Sequence, residues 1–524
     1  MATFSYAEYA GQSHPPYSNG PLKLPYQRPV KERRTYHSAG VENLIDEITF
    51  QMRDKDLARM FENCFPNTLD TTVKWFEHSD DTCKSFIIAG DMDAAWLRDN
   101  LWQIQAYKCL LRTDESIRKL WRGVITLHTR WIAKAPYANS FQAPRESGLK
   151  PVTDHVVDMG ADIVKPPLDP DLSFEGKWSL DSVASFLRIS NTYVQETADT
   201  SILDDSWMAA LTAILQVLHE QSQSTFDEHG KLNAQAYSFQ RPASTSMTSV
   251  YNGPDQPPNV GTGNPVKSTG LIRSSFRASD DATIFPFHVP ANAFMAVELD
   301  RTAELLSPMA RDLSVQCAAI SGSITRGIYE HGVFTHPVYG KVLAYEVDGY
   351  GSRVFMDDAS PPSLLTLPYL GFLDASDPVY RATRAMVLSR DGNPYYVVGS
   401  ALEGQGSPHI DLTTMWPLGT IMQVLTSDDD REIRACLETL KKSSAGLGLV
   451  HEGVDVNDSS RFLRTWYAWG NSAFGEMIVD LAARKPGILF GEAGANDRHS
   501  LTSEAEVELE TETNPDHDGR VPKL

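Results

Sequence analysis

No apolar run in this 524-residue chain approaches the roughly 20 residues that a membrane-spanning helix needs. The first residues, Met-Ala-Thr-Phe-Ser-Tyr, lack a charged segment followed by an apolar one, so neither a membrane anchor nor the usual secretory route is expected. An intracellular location is the simpler expectation. Cysteine is scarce: Cys64, Cys83, Cys109, Cys317 and Cys436 are odd in number and show no CxxC spacing, so neither a disulfide framework nor a thiolate zinc site is indicated. Basic residues are also in short supply, 47 against 68 acidic ones, giving a formal net charge of -21. Nucleic acid and anionic membrane surfaces would be repelled by such a chain, whereas a neutral ligand suits it. Missing too are a GxSxG elbow, an HExxH pair, a Walker loop and EF-hand spacing; Gly404 and Gly406 lack the third glycine of a dinucleotide fingerprint. No internal repeat at a period of about 20 to 50 residues is visible, so a solenoid of literal repeats is not expected.

What the chain does have is helical periodicity. Leu44, Ile45, Ile48, Met52, Leu57, Met60 and Phe61 recur at helical intervals, and further helices are expected near 101–111, 114–133, 180–197, 205–221, 291–306, 308–329, 362–373, 378–389, 412–425, 428–443 and 471–483. Short and long connections alternate, which puts the long ones on one rim. Residues 1–38, rich in Pro, Tyr, Ser and Gly, are expected to form an extended arm on the surface. Residues 39–485 form a single domain with a polar surface insertion at about 238–267, and the acidic stretch 486–524 is expected to be disordered.

The long connections carry the chemistry. Gly90-Asp-Met-Asp-Ala-Ala-Trp-Leu-Arg-Asp-Asn100 packs Asp91, Asp93, Asp99, Arg98 and Trp96 beside an apolar run, where charges must be paired or touch a polar ligand. Two readings stand: a helix start capped by Asp91 or Asp93, or a sugar site in which the indole stacks on a pyranose. The loop 136–178 carries His155, Asp158 and Asp162, with Asp181 just beyond it. Ser275-Phe-Arg-Ala-Ser-Asp-Asp-Ala282 contains Arg277 and the adjacent acids Asp280 and Asp281, which a regular backbone points in different directions, so one can cap the next helix while the other works. Asp357 and Asp358 follow the turn at Gly349 and Gly351 and precede Pro361-Pro362, where a capped helix start is again the competing reading. Finally come His409 ahead of Trp416, then His451 and Glu452 ahead of Arg464, Trp466, Trp469 and Asn471.

Carboxylates among aromatics suit glycosidic-bond hydrolysis, in which one carboxylic acid protonates the leaving oxygen and a second activates water or attacks the anomeric carbon. The segments Trp96-Leu-Arg-Asp99, Phe276-Arg-Ala-Ser-Asp-Asp-Ala282, Met356-Asp-Asp-Ala359, Pro368-Tyr-Leu-Gly371, Met415-Trp-Pro417, His451-Glu452 and Trp466 to Asn471 occur in one order over about 94–481. In these the chain resembles glycoside hydrolase family 125, the exo-α-1,6-mannosidases, in its fungal branch related to the meiotically up-regulated 157 proteins. The resemblance implies an (α/α)6 toroid, an α-mannoside substrate, an inverting mechanism and no metal or cofactor. It assigns the general acid to Asp280 or Asp281 and the general base to Glu452. It puts Arg98 and Asp99 on the terminal mannose with Asp91 and Asp93 nearby. Trp96, Asp181, Arg277, Asp357, Asp358, His409, Trp416, His451, Arg464, Trp466 and Asn471 complete the expected substrate-binding set. Ser360 and the Ile-Asp-Leu after His409 depart from the family pattern. The competing expectations are another exo-glycosidase or sugar epimerase on the same fold, and a glycan-binding protein without turnover; oligomeric state is left open.

Overall fold

The computed structural model describes residues 4–79, 82–152, 162–241 and 255–491. His155 and Asp158, and the acidic stretch from 492, lie outside the described residues. After a first helix α1 (Ala39–Gln51), twelve helices alternate between two layers. One layer holds α2 (Lys55–Cys64), α4 (Glu115–Ile132), α6 (Asp205–Gln221), α8 (Arg311–His331), α10 (Pro378–Val387) and α12 (Asp430–Ser443). The other holds α3 (Leu97–Gln105), α5 (Leu180–Thr197), α7 (Val289–Leu306), the single turn α9 (Leu367–Leu370), α11 (Pro417–Leu425) and α13 (Ala468–Arg484). The second layer is in mutual contact in the order α11, α13, α3, α5, α7, α9. Among the described residues no helix is long and apolar enough to cross a membrane.

The two layers start their helices by different means. Asp54, Asp114, Asp204, Asp377 and Asp429 cap α2, α4, α6, α10 and α12, each accepting one or two backbone N–H bonds from the first turn. Helices α3, α7 and α11 of the second layer, which is the more buried and is called the inner one, instead follow two-residue strands, and their N-cap residues Trp96, His288 and Trp416 make no side-chain cap bond. Asp91 and Asp93 therefore do not cap α3, and neither Asp280 nor Asp281 caps α7.

Those strands belong to three small antiparallel sheets. β1 (Ala95–Trp96), β2 (Ser140–Phe141) and β3 (Ser173–Glu175) form one, β4 (Phe287–His288), β5 (Glu346–Val347) and β6 (Arg353–Val354) the second, and β7 (Thr414–Met415), β8 (Gly453–Asp455) and β9 (Phe462–Leu463) the third. Trp96 pairs with Ser140, His288 with Glu346 and Met415 with Val454. The helical pattern is thus joined by short strands that period-based reading overlooks, because two-residue strands leave no alternation to see.

The helix expected at 362–373 shrinks to Leu367–Leu370. The cause is local: the Asp357 carboxylate accepts the backbone N–H groups of Leu364 and Leu365 at 2.8 and 3.1 Å, so they are engaged outside a helical ladder. The arm also differs from a simple surface strap. It contains a helical turn at Tyr6–Ala10, buries Leu24, Gln27 and Arg28, and pairs Arg28 with Asp70 at 2.7 Å. Of the expected insertion, Ser238–Gln240 pairs as a strand with Ile163–Lys165, and residues 242–254 lie outside the described set.

A buried clamp joins three inner helices. On α5, Arg188 pairs with Glu298 of α7 and donates to the carbonyl of Leu370 in α9 at 2.8 Å, while Asn191 donates to Glu298 Oε2 at 2.9 Å. Removing one partner of such a pair strands the other in apolar surroundings. Glu298→Ala should therefore destabilise the fold by about 3–5 kcal/mol, read as a lower urea midpoint. A midpoint equal to the parent's would show that the clamp holds nothing.

Candidate active site

The inner-helix N-termini and the loops before them surround a pocket lined by Ala89, Met92, Trp96, Arg98, Asp99, Ala278, Ser279, Asp280, Ser360, His409, Trp416, Glu452, Arg464, Trp466, Tyr467 and Trp469. Arg98, in the first turn of α3, is its buried cation. The guanidinium donates to Asp181 Oδ2 at 3.4 Å and to Asp280 Oδ1 at 3.3 Å, and its Nε lies 3.5 Å from Asp99 Oδ1. It also lies 5.5 Å from the ring centroid of Trp469.

The loop bearing the two acids is a tight hairpin. Phe276 bridges to Ala282, and Arg277 N–H donates to Asp281 O at 2.8 Å. Trp178 O accepts the N–H groups of Ser275 and Phe276, which ties the hairpin to the start of α5. Buried Arg277 pairs with buried Glu346 at 2.6 Å, and Glu346 Oε2 accepts the N–H groups of Ile284 and Phe285. At the tip Asp280 adopts a left-handed φ of 66°, a conformation that aspartate tolerates better than most residues. The turn sends the two carboxylates apart: Asp280 reaches Arg98 and the pocket, while Asp281 is 2% exposed and meets His409 Nδ1 at 2.7 Å.

Glu452 comes from the third sheet. Its N–H donates to Leu463 O at 3.2 Å, just before β8, and Arg464 Nε lies 3.1 Å from its Oε2. Arg464, also left-handed at φ 51°, reaches Asp91 at 2.7 Å. Non-glycine residues held at positive φ store strain, and both Asp280 and Arg464 line the pocket with a charged side chain.

A family model described as metal-independent α-mannosidase (GH125) matches residues 54–479. The meiotically up-regulated gene 157 protein of Schizosaccharomyces pombe is 45% identical over 488 residues, covering 93% of this chain and 94% of that protein. Among solved structures, a metal-independent α-mannosidase of Streptococcus pneumoniae, in a non-productive complex with α-1,6-mannobiose, superimposes with a TM-score of 0.74 at 29% identity, over 86% of this chain and 100% of that one. The chain belongs to GH125.

Of the residues expected from sequence, this GH125 pocket draws Trp96, Arg98, Asp99, Asp280, Glu452, His409, Trp416, Arg464 and Trp466 to its wall. Others lie behind it. Asp181 is fully buried under Arg98, and Arg277 is enclosed with Glu346. Asp358 accepts the hydroxyls of Ser279 and Ser407 at 2.9 and 3.0 Å, and Asp357 holds Leu364, Leu365 and Gln405. The His451 ring nitrogens face the carbonyls of Arg464 and Ser444, and Asn471 accepts Val450 N–H, so both order the segment that carries Glu452. Asp93 is turned away: it pairs with Lys74 at 3.0 Å on an exposed surface. Asp91 is not among the lining residues and meets the pocket through Arg464. Sequence reasoning set Trp469 beside Trp466 in the last cluster but did not single out Ser279, Ser360 or Tyr467 as pocket residues. The aromatic run from 466 signals Tyr467; the serines carry no signal of their own.

Burial raises the Asp280 carboxyl, but the charges of Arg98, Lys177 and His409 outweigh it and leave the group below its ordinary value. Burial depresses His409, yet the bond to Asp281 and the charges of Asp281, Glu452 and Asp280 reverse that and raise it. Asp281→Asn should lower the His409 pKa, as read by histidine NMR titration; an unmoved titration would break the link. Burial pushes Asp99 up to about 7 against the pull of Arg98, and Asp357 up to about 7 against its N–H bonds. Each holds a proton in the folded chain that the unfolded chain releases above about pH 4. Their contribution to stability is therefore greatest below that pH and falls as pH rises towards 7. Urea unfolding at about pH 5 and about pH 8 should show a smaller pH dependence for Asp99→Asn than for the parent. An equal dependence in both would refute the raised Asp99.

Proposed function

We propose that this GH125 protein is an inverting, exo-acting α-mannosidase that removes terminal non-reducing α-1,6-linked mannose, with Asp280 as general acid and Glu452 as general base, on an (α/α)6 toroid. The observation that carries this reading is that Asp280 and Glu452, from distant parts of the chain, line one pocket. The helix order α11, α13, α3, α5, α7, α9, with an outer helix preceding each inner one, supports the toroid. The α-1,6-mannobiose bound by the Streptococcus protein supports the linkage.

The residues suggest how the steps divide. Trp96, Trp416, Trp466 and Trp469 offer ring faces and edges to a neutral hexose, while Arg98 and Asp99 meet its hydroxyls. Buried Nε1 atoms of Trp96, Trp416 and Trp469, and Ser360 Oγ, have no hydrogen-bond partner among the described residues, which suits donation to sugar oxygens. Asp280 donates a proton to the glycosidic oxygen as the bond to C1 breaks. Glu452 takes a proton from the water that attacks C1 from the opposite face, and inversion yields β-mannose. Such an arrangement leaves room for one water, with carboxyls roughly 6.5 to 9.5 Å apart.

An acid must be protonated when it acts, whereas Arg98, Lys177 and His409 favour the carboxylate of Asp280. The Asp280 side chain is 25% exposed, and a hexose seated over it removes that remaining water. Desolvation favours the neutral form, so sugar binding raises the group towards its task. The alkaline limb should therefore lie at higher pH in the kcat profile than in the kcat/KM profile. Coincident limbs would exclude this activation.

Digestion of α-1,6-mannobiose followed by NMR tests the reaction, with β-mannose as the first anomer. Initial α-mannose would exclude inversion, and binding without cleavage would favour a glycan-binding protein. Glu452→Gln should lower kcat by about 10²- to 10⁴-fold while keeping substrate affinity. Turnover near the parent level would remove Glu452 from the mechanism.

A further inference from the structure

Trp466 stands in the pocket wall, and the side chains that hold its indole reach back into the arm that precedes residue 54, where the segment matched by the GH125 model begins. Its Nε1 donates to Asn67 Oδ1 at 3.1 Å. Asn67 Nδ2 donates to the hydroxyl of Tyr6 at 3.0 Å, and that hydroxyl donates to the carbonyl of Gln27 at 3.0 Å. The Tyr6 ring itself meets the indole edge to face, with centroids 5.2 Å apart and planes at 80°. Tyr6, Gln27 and Asn67 are all buried, and Gln27 is anchored in turn, its N–H donating to Asn63 Oδ1 at 2.9 Å. At Gly90, whose φ is 147°, even an added Cβ would come within 3.8 Å of the same indole.

An aromatic platform is useful to a sugar only while its tilt matches the pyranose face, and an indole has two side-chain torsions through which to lose that tilt. The bond donated to Asn67 Oδ1 fixes one edge of the ring, and Tyr6 fixes the orientation of Asn67 while packing against the indole. We infer that Tyr6, in the N-terminal arm, is a positioning residue for substrate binding that acts through Asn67 and Trp466. The arm thereby backs the pocket wall from behind Trp466. This rests on the reading that a hexose occupies the pocket.

The test uses the full chain, with α-1,6-mannobiose hydrolysis as one readout and the indole N–H NMR signal of Trp466, identified by its loss in Trp466→Phe, as the other. Tyr6→Phe keeps the ring contact and removes the hydroxyl; it should shift the Trp466 signal and raise KM about threefold with kcat held within about twofold. Tyr6→Ala removes both and should raise KM about tenfold. Tyr9→Phe serves as the arm control, because the Tyr9 hydroxyl bonds Arg28 O; it should change neither readout. A parent-like KM in Tyr6→Phe with an unmoved Trp466 signal would overturn the inference, and so would an equal response to Tyr9→Phe. Should Tyr6→Ala fail to fold, Tyr6→Phe decides alone. If the parent itself leaves mannobiose intact, the mannosidase reading fails, and the Trp466 signal in Tyr6→Phe still decides whether Tyr6 positions the indole.

Discussion

A buried guanidinium among carboxylates is the constraint on which the pocket depends. Arg98 cannot leave water without compensation, since the desolvation of one such ion outweighs several ordinary hydrogen bonds. Its partners come from separate places: Asp99 from α3 itself, Asp181 from α5, and Asp280 from the hairpin ahead of α7. Three consecutive inner helices are thus tied to one cation, and the relative placement of their N-termini is fixed by charge as well as by packing. In a chain whose net charge is -21, the local balance at this point is the reverse of a solvated acidic surface. Three acids are directed inward onto one shared cation.

The difference between outer and inner helix starts follows from the same demand. Five of the six outer helices begin at an aspartate cap that satisfies first-turn N–H groups, and α8, which follows Ala310, begins without a side-chain cap. Inner helices α3, α7 and α11 begin at Trp96, His288 and Trp416, so bulky rings take the cap position and short strands fix the incoming chain. This leaves the positive ends of the helices directed towards a region filled by carboxylates. Partial positive charge at a helix N-terminus stabilises nearby anions, and it does so most where water is excluded. Aromatic walls and ionised acids, awkward neighbours elsewhere, are compatible here for that reason.

Much of this was legible in the sequence because it depends on local periodicity and on dense polar motifs. The long helices stand near their expected positions, since a repeating apolar stripe survives any tertiary context. The clusters around Trp96, Asp280, His409, Glu452 and Trp466 stand out because charged and aromatic residues in apolar stretches require partners. What the sequence hid is which partner each one takes. Asp93 and Asp99 sit in one motif, yet one meets Lys74 on an exposed surface and the other stands beside Arg98. The helix expected from Pro362 gave way to a carboxylate that captures two backbone amides, a competition invisible to a pattern count. Glu346, the buried partner of Arg277, stands just ahead of the turn at Gly349 and Gly351 and was not itself singled out.

The paired acids show how far geometry goes beyond composition. Asp280 and Asp281 are chemically identical and adjacent, and only the left-handed turn at the first separates their surroundings. Asp281 faces an imidazole at 2.7 Å and has little contact with solvent, so its carboxylate is committed to His409. Asp280 keeps an exposed edge towards the pocket and is opposed by Arg98. Under the proposed mechanism a proton must reach a glycosidic oxygen in that pocket, and a carboxylate enclosed against histidine has no path to it without breaking its own bond. Access therefore favours Asp280 as the donor and leaves Asp281 to hold His409 in the wall. The ionised state of Asp280 is then the resting condition from which sugar binding, by excluding water, moves it towards donation.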